Sequence, residues 1–350
     1  KVAILLTTPN AVVAREAPIA RQKLNELILN FRKALGNPAL DPEPQARVLY
    51  QLLIEPIAAD LHQAGAKTLM LDLDDTLRYL PFAALYDGKN YLIETMSVVM
   101  VTEAVRDKLS VQSNPDWKVW GLGITKGGPG YAALPYAGVE LNGIAGQQGI
   151  LAGQVMLDQA FTENSLREGL ELSYPIVHIA SHFQFKPGSM DDSFLLLGDG
   201  RRMTLAEIRT KLNFSSVDLL TLSACETALG DDSVAHHGVE VEGLGALAQE
   251  AGAKAVLATL WPVADESTAA LMRDLYLAHK VDHLDKAESL RQAQLALLHG
   301  TVKADAGSVQ RRGLTRTADT AAGRPFKADP NAPFAHPFYW APFILMGNWL

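Results

Sequence analysis

The chain has 350 residues, 48% hydrophobic and 20% charged, a length and balance that give a globular chain with a large core and exclude a disordered or fibrous one. The formal net charge of -8 argues against a nucleic-acid-binding face or an anionic membrane surface, since phosphate-contacting faces make a domain basic. A protein or peptide partner fits better.

One cysteine, Cys225, permits neither an intrachain disulfide nor a four-cysteine metal site, and suits reducing cytosol, so a cytoplasmic location is expected. The best apolar stretch, residues 251–263, is short and carries Lys254, so no membrane span is expected. The sequence opens at Lys1 directly on a strand-like run, 2–6, and reads as a piece of a longer chain.

Residues 1–112 are expected to form an N-terminal α/β unit. Apolar spacing predicts helices over 19–35 and 48–61, and strands over 68–73 and 91–101 around a turn at 86–90. Residues 113–116 break the pattern, and 113–350 form the second unit. There strands are expected at 117–124, 154–158, 175–181, 217–223, 254–261 and 338–346. Helices are expected at 139–147, 162–170, 205–212, 241–251, 266–279 and 286–298, with a hairpin of 194–197 and 201–204 around Gly198-Asp199-Gly200. This alternation implies an α/β fold: a mainly parallel sheet with helices on both faces, and functional residues where strands end. Residues 301–333 lack periodicity and read as a mobile surface insertion.

Several motifs fail on inspection. Residues 69–77, LMLDLDDTL, match the strand-borne Asp-x-Asp-x-Thr of phosphotransferases, with Asp72 as nucleophile and Asp74 as acid/base. No later strand ends in the acidic pair that chemistry needs for Mg²⁺. Gly121-Leu122-Gly123 and the run from Gly123 to Gly128 lack the third glycine and the lysine of nucleotide-binding loops, Lys126 and Pro129 standing there instead, and read as loop glycines. His178 and His182 on one strand lie about 13 Å apart, too far to clasp one ion. His236-His237 is a tandem in a polar loop. No metal and no cofactor are expected.

Cys225 closes an apolar strand, and His182 closes another. If these are neighbouring parallel strands, both side chains leave the same edge of the sheet, where a thiol and a base can meet. From the residues alone, a buried inert thiol and a catalytic one both stay open.

Ile179-Ala180-Ser181-His182 resembles the histidine motif of the CHAT family, relatives of caspases and separases, and residues 222–230 (LSACETALG) resemble its cysteine motif. Residues 77–85, 259–265, 290–294 and 336–341 match further landmarks in order. The resemblance implies a caspase-like fold with a pseudo-caspase-like subdomain over 1–112, and a cysteine peptidase in which His182 is general base and Cys225 nucleophile. Backbone N–H groups of Cys225 and of the residue after the histidine would hold the oxyanion. That second residue is commonly glycine in relatives and is Phe183 here, whose side chain narrows φ/ψ. His178 is read as a packing residue.

The resemblance also implies an upstream tetratricopeptide-repeat (TPR) regulatory region, and the loop 230–238 is expected to carry a latency switch. Asp265 aligns with the acidic residue that separases use to hold an arginine, which makes cleavage after a basic residue an expectation. Asp265 as a plain helix N-cap, and Glu266 as a second acidic candidate, stay open. The alternative to an enzyme is a catalytically silent CHAT domain that acts as a binding module.

Overall fold

The computed structural model describes residues 1–109, 111–114, 116–184, 189–223, 239–261, 263, 265–302 and 324–350. In chain order the elements begin with β1 (Val2–Thr7), β2 (Val12–Ala17), α1 (Arg21–Leu35), α2 (Glu43–Leu53), α3 (Glu55–Gln63), β3 (Thr68–Leu71), α4 (Leu92–Thr95) and β4 (Ser97–Met100). Then follow β5 (Lys118–Gly123), α5 (Pro135–Ala145), β6 (Ala152–Leu157), α6 (Glu163–Glu171), β7 (Ile176–Ala180), β8 (Phe183–Gln184), β9 (Phe194–Leu196), β10 (Arg202–Thr204), α7 (Leu205–Lys211) and β11 (Leu219–Leu222). The last are α8 (Val239–Glu250), β12 (Ala255–Thr259), α9 (Asp265–Asp282), α10 (Lys286–Leu298), α11 (Pro337–Trp340) and β13 (Phe343–Gly347).

An eight-stranded sheet in the order β3-β4-β13-β12-β11-β7-β5-β6 organises the chain. All its pairings are parallel except β12 with β13. Strands β6, β5, β7, β11 and β12 therefore share one direction, and β13, β4 and β3 run the other way. Residues 68–71 and 97–100, from the segment set apart in sequence, belong to this same sheet.

The central strands are apolar on both faces because each face is covered. Along β7, Ile176 joins the core that includes α9 and α10, while Val177 and Ile179 join the core beneath α6, α7 and α8. β11 alternates in step, Leu219 facing one core and Leu220 and Leu222 the other. Period-two alternation thus continues although every residue is apolar or buried.

Four local expectations need correction. Residues 48–61 are two helices, because Pro56 lacks the N–H that a continuous helix would need and opens α3 instead. Residues 91–101 begin with the helical turn α4, where the Glu94 carboxylate accepts the Tyr91 N–H at 2.6 Å, and only then become β4. Residues 338–346 begin with the turn α11, capped by His336 Nδ1, which accepts the Phe338 N–H at 3.0 Å. Gly121 and Gly123 lie inside β5, not in a loop. A Cβ on Gly123 would meet Leu141 Cδ1 of α5 at 2.5 Å, so glycine lets the helix lie close on the strand.

Helix α10 is tied to α4 and to the region of α11 by side-chain bonds to backbone carbonyls. Arg291 donates to the carbonyls of Ile93 (2.7 Å) and Glu94 (2.8 Å), and Gln294 Nε2 donates to those of Trp340 (2.8 Å) and Phe343 (3.2 Å). Most of the expected insertion lies outside the described residues. Its last part packs back: Arg324 pairs with Asp41 at 3.1 Å, and the Phe326 N–H donates to the Ala39 carbonyl at 2.9 Å.

Candidate active site

β7 and β11 are neighbours and parallel, with Thr221 opposite His178 and Leu222 opposite Ile179. Both strands end at one edge of the sheet, the condition on which the pairing of His182 with Cys225 depended. Ser223, two residues before Cys225, is buried and donates its N–H to the Ile179 carbonyl at 3.0 Å. Cys225 itself, the loop 230–238 and His236-His237 lie outside the described residues. β3 runs in the opposite direction, so Asp72 and Asp74 leave the sheet at the other edge. There Asp72 pairs with Arg106 at 2.6 Å and Asp74 caps the Asp75 N–H at 3.0 Å.

His182 is only 4% exposed, and its Nε2 lies 2.9 Å from the Ala132 carbonyl oxygen. A carbonyl only accepts, so Nε2 carries the proton and Nδ1 is the basic nitrogen of the neutral ring. Ala132 had no sequence signal, since a backbone carbonyl can belong to any residue. The loop that presents it is nevertheless readable in retrospect. Pro129-Gly130 makes a tight turn, Gly130 having φ +81°, and Gly128 and Tyr131 exchange backbone bonds at 3.1 and 3.0 Å across it.

Below the turn the Asp158 carboxylate accepts the Thr125 N–H at 2.8 Å, the Thr125 hydroxyl at 2.7 Å and the Lys126 N–H at 3.2 Å. Burial raises the Asp158 pKa, but these donors outweigh it and hold the carboxyl below its usual range. The Tyr131 ring then stands 5.3 Å from the His182 ring.

Phe183 opens β8, and its side chain is buried in the core beneath α6, α7 and α8. It is not among the non-glycine residues with left-handed φ, so the bulk that replaces glycine imposes no backbone strain. The Leu196 N–H donates to the His182 carbonyl at 2.9 Å, and Phe183 pairs with Leu195. In an antiparallel ladder hydrogen-bonded and open pairs alternate, so the Phe183 N–H points away from β9.

His178 is fully buried, Nε2 2.7 Å from Glu140 Oε1 of α5 and Nδ1 3.1 Å from the Tyr276 hydroxyl of α9. The Tyr276 hydroxyl also lies 2.9 Å from Thr221 Oγ1. If the carboxylate accepts from Nε2–H, one consistent direction satisfies all four groups, from Thr221 to Tyr276 to His178 to Glu140. Burial, the largest influence, raises the Tyr276 pKa, so the phenol keeps its proton. The network ties α5 and α9 to the two strands of the site, which agrees with His178 as a packing residue.

Ser223 and Thr259 end adjacent strands, and the offset that pairs Thr221 with Leu257 sets them side by side. Both hydroxyls are buried and have no hydrogen-bond partner among the described residues. Asp265 opens α9, with its side chain outside the described atoms, and Glu266 follows in the first turn. Among the described residues no cluster of His, Cys, Asp and Glu suits a metal ion, and no helix is long and apolar enough to cross a membrane.

The CHAT domain model matches residues 43–348, and the chain belongs to that family. No curated protein matches it. Among solved structures it is similar to the Arg specific cysteine proteinase gingipain R, with 10% identity and TM-score 0.49 over 85% of this chain and 68% of that one. The Saccharomyces cerevisiae separase–securin complex matches with 12% identity and TM-score 0.46, over 85% of this chain and 18% of that one. The complex of Porphyromonas gingivalis RgpB pro- and mature domains matches with 10% identity and TM-score 0.46, over 95% and 78%.

Proposed function

We propose that the chain is a cysteine endopeptidase, with Cys225 as nucleophile and His182 as general base. The observation that carries this reading is the pairing of β7 with β11, whose ends lead at one edge into His182 and toward Cys225. The Ala132 carbonyl holds the proton on Nε2, and Nδ1 takes the thiol proton. The thiolate attacks the scissile carbonyl, and the backbone N–H groups of Phe183 and Cys225 receive the oxyanion. His182 then protonates the leaving amine, and water hydrolyses the thioester. Membership of the CHAT family supports a peptidase and regulation by TPR helices upstream of the domain.

Asp265 is the proposed anchor for a basic side chain N-terminal to the cut. The hydroxyls of Ser223 and Thr259, unpaired among the described residues, support a polar pocket between the strand before Cys225 and the strand before Asp265, since a buried hydroxyl without a partner costs about 1–3 kcal/mol. The test is hydrolysis of a diverse peptide pool by the whole protein, with and without Cys225→Ala. The wild type should cut after Arg or Lys and the variant should not cut. Equal products from both would end the peptidase reading. Asp265→Asn should lower cleavage after basic residues far more than after neutral ones, and an unchanged preference would remove Asp265 from the pocket.

A further inference from the structure

Strands β8, β9 and β10 form a separate three-stranded sheet in the order β10-β9-β8, and two adjacent arginines where β10 begins are treated differently. Arg201 is held by Glu163 and, at 2.7 Å, by Glu207. Arg202 has neither a carboxylate nor a hydrogen-bond partner for its guanidinium among the described residues. Its Cζ lies instead 4.7 Å from the centroid of the Phe194 ring and 5.8 Å from that of Tyr131. Cation–π contact with two rings restrains a guanidinium and leaves its N–H groups available to a carboxylate.

The register places Arg202 in line with the candidate base. Arg202 pairs with Leu196 of β9, and the Leu196 N–H donates to the His182 carbonyl. Cross-strand partners share a face, so His182, Leu196 and Arg202 form one row on one side of the sheet. Two strand spacings put Arg202 about 10 Å from His182. The shared contact with Tyr131 sets the same limit independently, because its ring is 5.3 Å from that of His182. Such a distance is spanned by about three residues of extended peptide. In a chain of net charge -8, a cation held against two rings, beside the candidate base and with no carboxylate partner among the described residues, is the group suited to an anion.

We infer that Arg202 forms a subsite for an acidic side chain, within about three residues of the bond that is cut. This rests on the peptidase reading of His182 and Cys225, and adds that the substrate carries Asp or Glu close to the cleavage point. The guanidinium would receive that carboxylate through a bidentate, charge-assisted pair, with Tyr131 and Phe194 holding it in place.

Two measurements on the whole protein separate this inference from the reading it rests on. The first compares alkylation of Cys225 by anionic iodoacetate and neutral iodoacetamide in wild type, Arg202→Gln and Arg202→Glu. Coulomb attraction over the span of about 10 Å between Arg202 and the candidate base predicts that the iodoacetate-to-iodoacetamide rate ratio falls about twofold in Arg202→Gln and about fourfold in Arg202→Glu, less at high salt. The second uses hexapeptides in which each position in turn is Asp or Asn. Wild type should prefer Asp at one position by about fivefold, and Arg202→Gln should lose that preference. Unchanged rate ratios, or cleavage with no preference for Asp, overturn the subsite and leave the peptidase reading intact. Rate ratios that respond while no peptide is cut leave an anion subsite in place and overturn the peptidase reading.

Discussion

His336 shows how one buried side chain makes the fold depend on pH. It is 2% exposed, its Nε2–H donates to the Leu40 carbonyl at 2.8 Å, and its Nδ1 accepts from Phe338, an arrangement that needs a neutral ring. Burial pushes its pKa down to about 4, against the smaller opposing pull of the Leu40 carbonyl and of Asp41. The unfolded chain takes up this proton near pH 6.5, and the folded chain only near 4. Stability from this group is therefore full above about pH 6.5 and is lost as the pH falls toward 4. Between pH 7.5 and 5 the loss should reach about 2 kcal/mol. Burial also lowers the pKa of His279, which adds to the same trend. Urea midpoints at the two pH values should fall more in wild type than in His336→Gln, and equal falls would clear His336 of this role. Gly123 makes a steric prediction. Gly123→Ala should cost about 1–3 kcal/mol by pushing Leu141 and α5 off β5, and an unchanged urea midpoint would show that the helix gives way freely.

At the scale of elements, the buried chain from Glu140 to Thr221 holds α5 and α9 against β7 and β11. Tyr276→Phe removes one oxygen and strands His178 Nδ1 and Thr221 Oγ1 inside the core. An unpaired buried polar group costs about 1–3 kcal/mol, so chemical denaturation should show a loss of that order while circular dichroism stays unchanged. No loss would mean that water satisfies both groups. Sequence patterning located most of these elements. The runs of β7 and β11 were legible because strands buried on both faces are apolar throughout. The boundaries that went astray lie where a proline or a cap overrides periodicity, at Pro56, Glu94 and His336. β2 was not anticipated, since the exposed Arg15 and Glu16 break the apolar pattern of a strand that pairs with β1 alone.

For the whole molecule, the sheet order is what brings distant segments to one edge. Periodicity could name the strands that end at His182 and lead toward Cys225, but adjacency is a tertiary fact, and in the sequence it stood only as a condition. The carbonyl of Ala132 and the row from His182 to Arg202 were illegible for the same reason: one is backbone, and the other exists only once three strands pair. The proposed chemistry requires Cys225 to be a thiolate kept reactive by His182. The most direct test is the rate of iodoacetamide labelling at Cys225 in the native protein as a function of pH, in wild type and in His182→Ala. A thiol paired with an imidazole should react well below pH 8.5, the range of a free cysteine, and loss of His182 should move the profile up toward that value and slow labelling at pH 7 by about tenfold or more. A Cys225 that labels only after denaturation, or with the same profile in both proteins, would contradict the account.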